Sequence, residues 1–334
     1  MAIAAVAAAA VLCLAAIPAV IAARPGDRAL VLLNGARVAW ARSCSDLSVG
    51  SLGTSSGAPL RDGVTSCDMV AAADGTLYAS DLARSGRLVE ITRDGARVLS
   101  PPGEALRTPV SPAPAGGLVA YCADVPSGRP NTPHTVVEVA GGPGKARFVG
   151  NGCQPAWTPS GLVYVSRFQR VFSEFFGAEL RVWSTDGRSR RLPLPPGTML
   201  TDMTALPGVD SVAVVSVYPD ASETLTLYPV AGGGAPWRVC TSIGGQVVAA
   251  APMQGDRMTV AVSSRTGVTR LYLANTVTHH LVRLGHMPAG RALWSPDGRV
   301  LVWAAAVGPW RVFDPVTGRL LALAPARGIF AALL

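Results

Sequence analysis

Four histidines, His134, His279, His280 and His286, are the side chains of this 334-residue chain best suited to holding a metal or moving a proton near neutral pH. Their spacing serves neither task. His279 and His280 are adjacent, so on a strand they face opposite sides; in a turn after Asn275-Thr276-Val277-Thr278 they would need ligands from elsewhere. HExxH, a Walker loop, a GxGxxG helix start and an EF-hand loop do not occur. No hydrolase domain is expected at the C-terminal end. Carboxylates for acid–base work stand at Asp81, Asp124, Asp202 and Asp256, too dispersed for the sequence to pair them. The sequence therefore assigns no catalytic residue, no metal ligand and no cofactor.

Cysteine chemistry is more informative. Cys13 lies in the apolar N-terminal stretch behind Leu12, which is too large for the residue that precedes a lipidated cysteine. The other five are Cys44, Cys67, Cys122, Cys153 and Cys240, and no two are spaced as CxxC, the usual sign of zinc or redox work. In an oxidising compartment four would pair and one would remain. The expected bridges are Cys44–Cys67 and Cys122–Cys153, with Cys240 free.

A third group is suited to contact rather than to chemistry. Four of the seven phenylalanines fall between positions 168 and 176. Phe168, Phe172, Phe175 and Phe176 are spaced i, i+4, i+7 and i+8, one stripe of an α-helix, with Arg167 and Arg170 beside them and Gly177 as a stop. Two readings follow. The segment is either a long hairpin whose aromatics fold over a sheet edge, or an amphipathic insert that presents phenylalanines to a partner or a bilayer surface. The expectation carried forward is a contact surface formed by Arg167, Phe168, Arg170, Phe172, Phe175 and Phe176.

The elements that position these groups come from a repeat. Ala292-Leu293-Trp294-Ser295-Pro296-Asp297-Gly298 precedes the apolar run Val300–Trp303, and Pro155-Ala156-Trp157-Thr158-Pro159-Ser160-Gly161 precedes Leu162–Val165. Pro112, Pro159, Pro207, Pro252 and Pro296 are separated by 47, 48, 45 and 44 residues. Weaker copies surround Ala73-Asp74-Gly75 and Leu33-Asn34-Gly35, which makes seven registers in all. In each, a proline or glycine turn closes a hairpin, a further strand follows (Leu88–Ile91, Val136–Val139, Leu180–Trp183, Leu225–Tyr228, Leu271–Leu273, Trp310–Phe313), and a second turn leads to a last strand. Four short strands per unit of about 45 residues predict an all-β, seven-bladed β-propeller, with six blades as the alternative because the first register, Arg28 to Asp62, is short. One such unit cannot bury its apolar face alone, so neighbours are required.

At Ala292–Trp303 and Ala156–Val165 the chain resembles the TolB-type, WD40-like propeller repeat. The resemblance implies a propeller from about Arg28 to Arg327, with no counterpart of TolB's separate N-terminal domain. Trp157, Trp294 and Trp303 belong to the repeat and are expected to pack between blades.

Composition narrows the function classes. The net charge of +8 suggests nucleic acid, yet Lys145 is the only lysine among 29 basic residues and the arginines are scattered singly, so no nucleic-acid footprint forms. Residues Ala2 to Ala23 carry no charge and are long enough to cross a bilayer as a helix. Residues 1–23 are expected to be a signal peptide or a transmembrane signal anchor, and 24–334 the propeller. The final Gly328–Leu334 is apolar too, either a closing strand or a small contact tail. The reading is a non-catalytic, exported or membrane-anchored propeller that scaffolds protein partners in the cell envelope, or serves a membrane complex as accessory subunit. The rival is a propeller enzyme or small-ligand binder that uses the central channel.

Overall fold

The computed structural model describes residues 37–333 except 42–43, 45–46, 52–57, 60–63, 67–68, 73, 93–94, 126–133, 144, 167–168, 172–173, 177, 196–197, 207–208, 233, 243–246, 253–255, 265–267, 289, 295–299, 306–308, 315–318 and 324–329. The expected leader or anchor, Ala2 to Ala23, lies outside the described residues, as do Cys67, Pro207 and Pro296. Among the described residues no helix is long and apolar enough to cross a membrane.

The described strands form seven antiparallel sheets. The first contains β1 (Arg37–Ala41), β2 (Leu47–Ser51) and β3 (Ala58–Pro59). The second runs β4 (Met69–Ala71), β5 (Leu77–Asp81), β6 (Arg87–Thr92) and β7 (Gly95–Val98), and the third β8 (Ala105–Pro112), β9 (Val119–Val125), β10 (His134–Gly142) and β11 (Lys145–Asn151). The fourth takes β12 (Cys153–Thr158) and β13 (Gly161–Ser166). The chain then makes β14 (Gln169–Val171) and β15 (Glu174–Phe176) before returning to that sheet as β16 (Glu179–Trp183) and β17 (Ser189–Leu192). The fifth holds β18 (Met199–Leu206), β19 (Ser211–Val217), β20 (Glu223–Pro229) and β21 (Trp237–Ser242). The sixth consists of β22 (Val247–Pro252), β23 (Arg257–Ser263), β24 (Val268–Asn275) and β25 (His280–Pro288). The seventh is built from β26 (Gly290–Trp294), β27 (Leu301–Ala305), β28 (Arg311–Asp314) and β29 (Arg319–Ala322). Finally β30 (Phe330–Leu333) pairs with β1 and completes the first sheet.

The leading strands of successive sheets touch in order: β30 with β4, β4 with β8, β8 with β12, β12 with β18, β18 with β22, β22 with β26, and β26 with β30. One apolar cluster fills each junction. Tyr78 and Leu88 meet Val119 and Tyr121 between the second and third sheets. Val137 and Val139 meet Trp157 and Leu162 at the next, and Leu180 and Val182 meet Leu200 and Met203 at the one after. Leu225 faces Met258, Leu271 faces Trp303, Val302 and Trp310 face Val38, and Ala39 faces Leu77. Trp157 and Trp303 thus pack between sheets, as the repeat implies, and Trp157 meets Trp183 edge to face at 6.2 Å.

The second strands carry no alternation. Val119–Ala123, Leu162–Ser166, Ser211–Ser216 and Leu301–Ala305 are buried at every position, because a neighbouring sheet covers each face. One-sided patterning survives only toward the rim. Pro112 and Pro252 end β8 and β22, and Pro159 follows β12, so these prolines close the leading strands of the third, sixth and fourth sheets. Two other prolines, Pro109 and Pro155, fall inside leading strands. There the pairing slips, between Arg107 and Val110 and between Cys153 and Ala156. A residue without an N–H fits a leading strand only where the ladder is already broken.

The first register does not supply its own leading strand: β1 is the second strand of its sheet, and of the two readings of the C-terminal apolar segment the structure has the closing strand. Of the two readings of the phenylalanine-rich segment it has the hairpin, in which β14 and β15 pair with each other.

Candidate functional site

Chain direction divides the molecule into two ends. At one, tight turns join first to second and third to fourth strands. At the other lie the second-to-third loops and the connections to the next sheet. Polar residues at the tight-turn end cap local backbone. Asp186 accepts from Arg188 N at 3.0 Å, and the hydrogen bonds that its carboxyl accepts hold it below its usual range. Asp210 of the fifth sheet accepts from Ser160 N at 2.9 Å and so pins the turn after Pro159. These bonds are structural.

Polar residues toward the connection end make longer-range contacts. Asp81 is fully buried; it accepts from Thr65 N and Ala83 N, both at 3.1 Å, and pairs with Arg84. Asp124 pairs with the Arg107 guanidinium, Nε to Oδ2 2.6 Å, while Thr135 Oγ1 donates to its other oxygen at 3.0 Å. Asp202 is half-buried and accepts one bond, from Met203 N at 2.8 Å; burial raises its carboxyl and that bond offsets the rise only in part.

A buried cluster joins the third sheet to the connection that enters it. The Tyr121 hydroxyl lies 2.6 Å from Glu138 Oε2 and 3.2 Å from Glu104 Oε2. A hydroxyl carries one proton, so it donates to Glu138, and Glu104 completes the cluster by keeping its own proton. Burial, and then the charge of Glu138, push the Glu104 carboxyl up to about 7. Burial and the bond to Glu138 raise the Tyr121 hydroxyl as well. Tyr78 stands opposite Glu90 in the second sheet as Tyr121 stands opposite Glu138 in the third.

The bridge Cys122–Cys153 joins the second strand of the third sheet to the leading strand of the fourth, with Cα atoms 5.0 Å apart. Cys153 immediately precedes the slipped pair, whose Gln154 has φ 55 and a buried Oε1 with no hydrogen-bond partner. Cys44 is also disulfide-bonded, and Cys240 is a free thiol.

Of the predicted contact residues, Arg170, Phe175 and Phe176 lie in one hairpin. Arg167, Phe168 and Phe172 lie outside the described residues. Arg170 pairs with Phe175 across the hairpin, and Phe175 and Phe176 stand opposite Leu200 and Met199 of β18. An insert from the fourth sheet thus adds two strands to the leading edge of the fifth, six-stranded one. The histidines do not converge. His279 stacks on Trp237 at 4.2 Å, His286 pairs with Arg283, and among the described residues no group of three His, Cys, Asp or Glu could hold a metal. Sequence reasoning missed Glu104, Glu138 and Gln154. The repeated Tyr–Glu pairing was the available sign for the first two, and Pro155 inside a strand was the sign for the third.

No protein-family model matches the sequence, and no curated protein matches it significantly. Solved structures do. The chain is similar to a puromycin-hydrolysing peptidase of Mycobacterium tuberculosis, with a TM-score of 0.58 and 17% identity over 83% of this chain and 49% of that one. TolB of Acinetobacter baumannii matches with a TM-score of 0.50 and 11% identity over 89% and 66%. The oligogalacturonate lyase of Vibrio parahaemolyticus gives 0.57 and 10% over 84% and 83%. The chain spans about half the length of the peptidase and just under two thirds of TolB. Identities this low establish the fold, and that fold is a TolB-type β-propeller.

Proposed function

We propose that the protein is a seven-bladed, non-catalytic propeller, exported or membrane-anchored, that scaffolds a protein partner in the cell envelope. Residues 1–23 are its leader or anchor, and residues 167–177 present Arg167, Phe168, Arg170, Phe172, Phe175 and Phe176 as the contact surface. The hairpin carries this reading. A four-stranded blade needs neither β14 nor β15, yet the insert is held in place by pairing with the next sheet. Its terminal strand β14 pairs on one side only, which leaves backbone donors and acceptors for a partner strand. The Cys122–Cys153 bridge supports an oxidising compartment, and Cys44–Cys67 is the second bridge of the same proposal.

The double variant Phe172→Ser/Phe175→Ser tests the surface. Its melting temperature should stay near that of the wild type, while recovery of proteins crosslinked to the full chain falls. Loss of binding to anionic vesicles instead would assign the surface to a bilayer. A large drop in melting temperature with no binding phenotype would return the segment to the core.

A further inference from the structure

Arginines that are scattered along the sequence are gathered by strand register at one junction. Arg181 of β16 stands directly opposite Arg191 of β17, with Tyr164 of β13 on its other side. The next row on the same face holds Leu162, Trp183 and Ser189. Leu162, Tyr164 and Trp183 pack against Val137 and Val139, so this face looks toward the third sheet. Arg147 of β11 approaches from that sheet. Its Nη1 donates to Thr185 O at 3.0 Å, and its guanidinium carbon lies 5.0 Å from the centre of the Trp183 ring. Trp183 is two residues from Arg181, about 7 Å along the strand, and opposed side chains such as those of Arg181 and Arg191 start about 5 Å apart.

Like charges facing each other across a ladder destabilise it. Protection of an open sheet edge accounts for charge on β17, the outer strand. It does not account for Arg181, which lies on an inner strand, is half-buried and forms no hydrogen bond or ion pair among the described residues. The nearby carboxylates do not restore neutrality. Glu179 lies 3.6 Å from Arg191, and Asp186 at the turn pairs with Arg188 at 3.5 Å. Three guanidiniums, those of Arg147, Arg181 and Arg191, therefore face the one carboxylate of Glu179, which leaves two positive charges.

We propose that Arg147, Arg181 and Arg191 form a binding site for a phosphate monoester at the rim between the third and fourth sheets. The planar guanidinium fork matches phosphate oxygens bidentately, and a monoester carries close to the two negative charges that the site leaves open. Arg191, 63% exposed, opens the site to solvent, and Arg147 is already held over Trp183. The same chemistry is offered by a soluble phosphate ester and by a lipid headgroup. The site goes beyond the scaffolding role and uses no residue of the hairpin, so either proposal can fail without the other.

Calorimetric titration of the full chain at about pH 8, where a monoester carries its second charge, tests the site with glycerol 1-phosphate, inorganic phosphate and acetate. The two phosphates should bind and acetate should not. Co-sedimentation with phosphatidylcholine vesicles, with and without phosphatidic acid, separates the sources. Added recovery with phosphatidic acid that Arg181→Gln abolishes assigns a lipid headgroup, whereas binding of glycerol 1-phosphate without that gain assigns a soluble ester. Arg181→Gln should weaken phosphate binding at least about tenfold, as loss of a charge-assisted pair does. Its melting temperature should be unchanged or higher, because the repulsion from Arg191 is removed. Arg191→Gln, at the exposed edge, should show the same loss of binding. Failure of both phosphates to bind at millimolar concentration, with no gain from phosphatidic acid, would overturn the proposal. So would acetate binding as tightly as phosphate, or Arg181→Gln binding phosphate as well as the wild type.

Discussion

Glu104 carries a consequence for stability that can be signed. Burial and Glu138 raise its carboxyl to about 7 in the folded chain, whereas the unfolded chain keeps the ordinary glutamate value. The folded state therefore binds the extra proton between these two values, and stability declines as pH rises from the ordinary glutamate range through about 7. Unfolding midpoints measured at about pH 5 and about pH 8 should show that decline in the wild type. In Glu104→Gln it should be smaller, because the amide needs no proton to stay neutral, and the variant should be the more stable protein at the higher pH. The cysteines give a second test. Peptide mapping without reductant should return Cys122 linked to Cys153, and Cys122→Ala/Cys153→Ala should lose about 2–4 kcal/mol in denaturant unfolding, as a loop of this length predicts. Burial raises the Cys240 thiol to about 11, so alkylation near neutral pH should be slow until the chain unfolds. The bridge was legible because Cys122 and Cys153 stand in neighbouring repeats. The Glu104 cluster was not, because it joins two neighbouring strands to a residue of the connection that precedes their sheet.

Among elements, the leading strand of the fourth sheet is the most constrained. Gly152 stands just before the bridge, and a Cβ there would lie 2.3 Å from Val165 O and 2.8 Å from Tyr164 Cδ2. The first contact is backbone and cannot swing away. Gly152→Ala should therefore destabilise the protein by about 1–3 kcal/mol or more in denaturant unfolding, and should disturb the Gln154 slip next to it. The strand ends around Pro112, Pro159 and Pro252 were legible because a proline or glycine turn is local chemistry that repeats. The hairpin was misleading for the opposite reason. Phe168, Phe172, Phe175 and Phe176 have helical spacing, but backbone pairing with β18, more than twenty residues farther along, decides the conformation. The slip at Gln154 is likewise set by neighbouring strands, with Pro155 the only local sign.

For the molecule as a whole, the closing pair β1–β30 ties the beginning of the described chain to its end. Removal of residues 329–334 should strip the first sheet of its leading strand and expose the cluster of Val38, Leu293 and Trp310. The expected result is a lower unfolding midpoint and a larger hydrodynamic radius; an unchanged midpoint would mean that the ring does not need this strand. The repeat made the ring legible, but the use of Phe330–Leu333 to complete the first sheet depends on which ends meet in space, and two readings of that segment stood open. The same pairing fixes which way the propeller looks. As a second strand, β1 starts at the tight-turn end, and β30, a leading strand, finishes there. On the proposed reading of residues 1–23 as an anchor, the thirteen residues 24–36 would lead into that end. The hairpin would then look outward, away from the bilayer that holds the anchor and toward whatever approaches from beyond it.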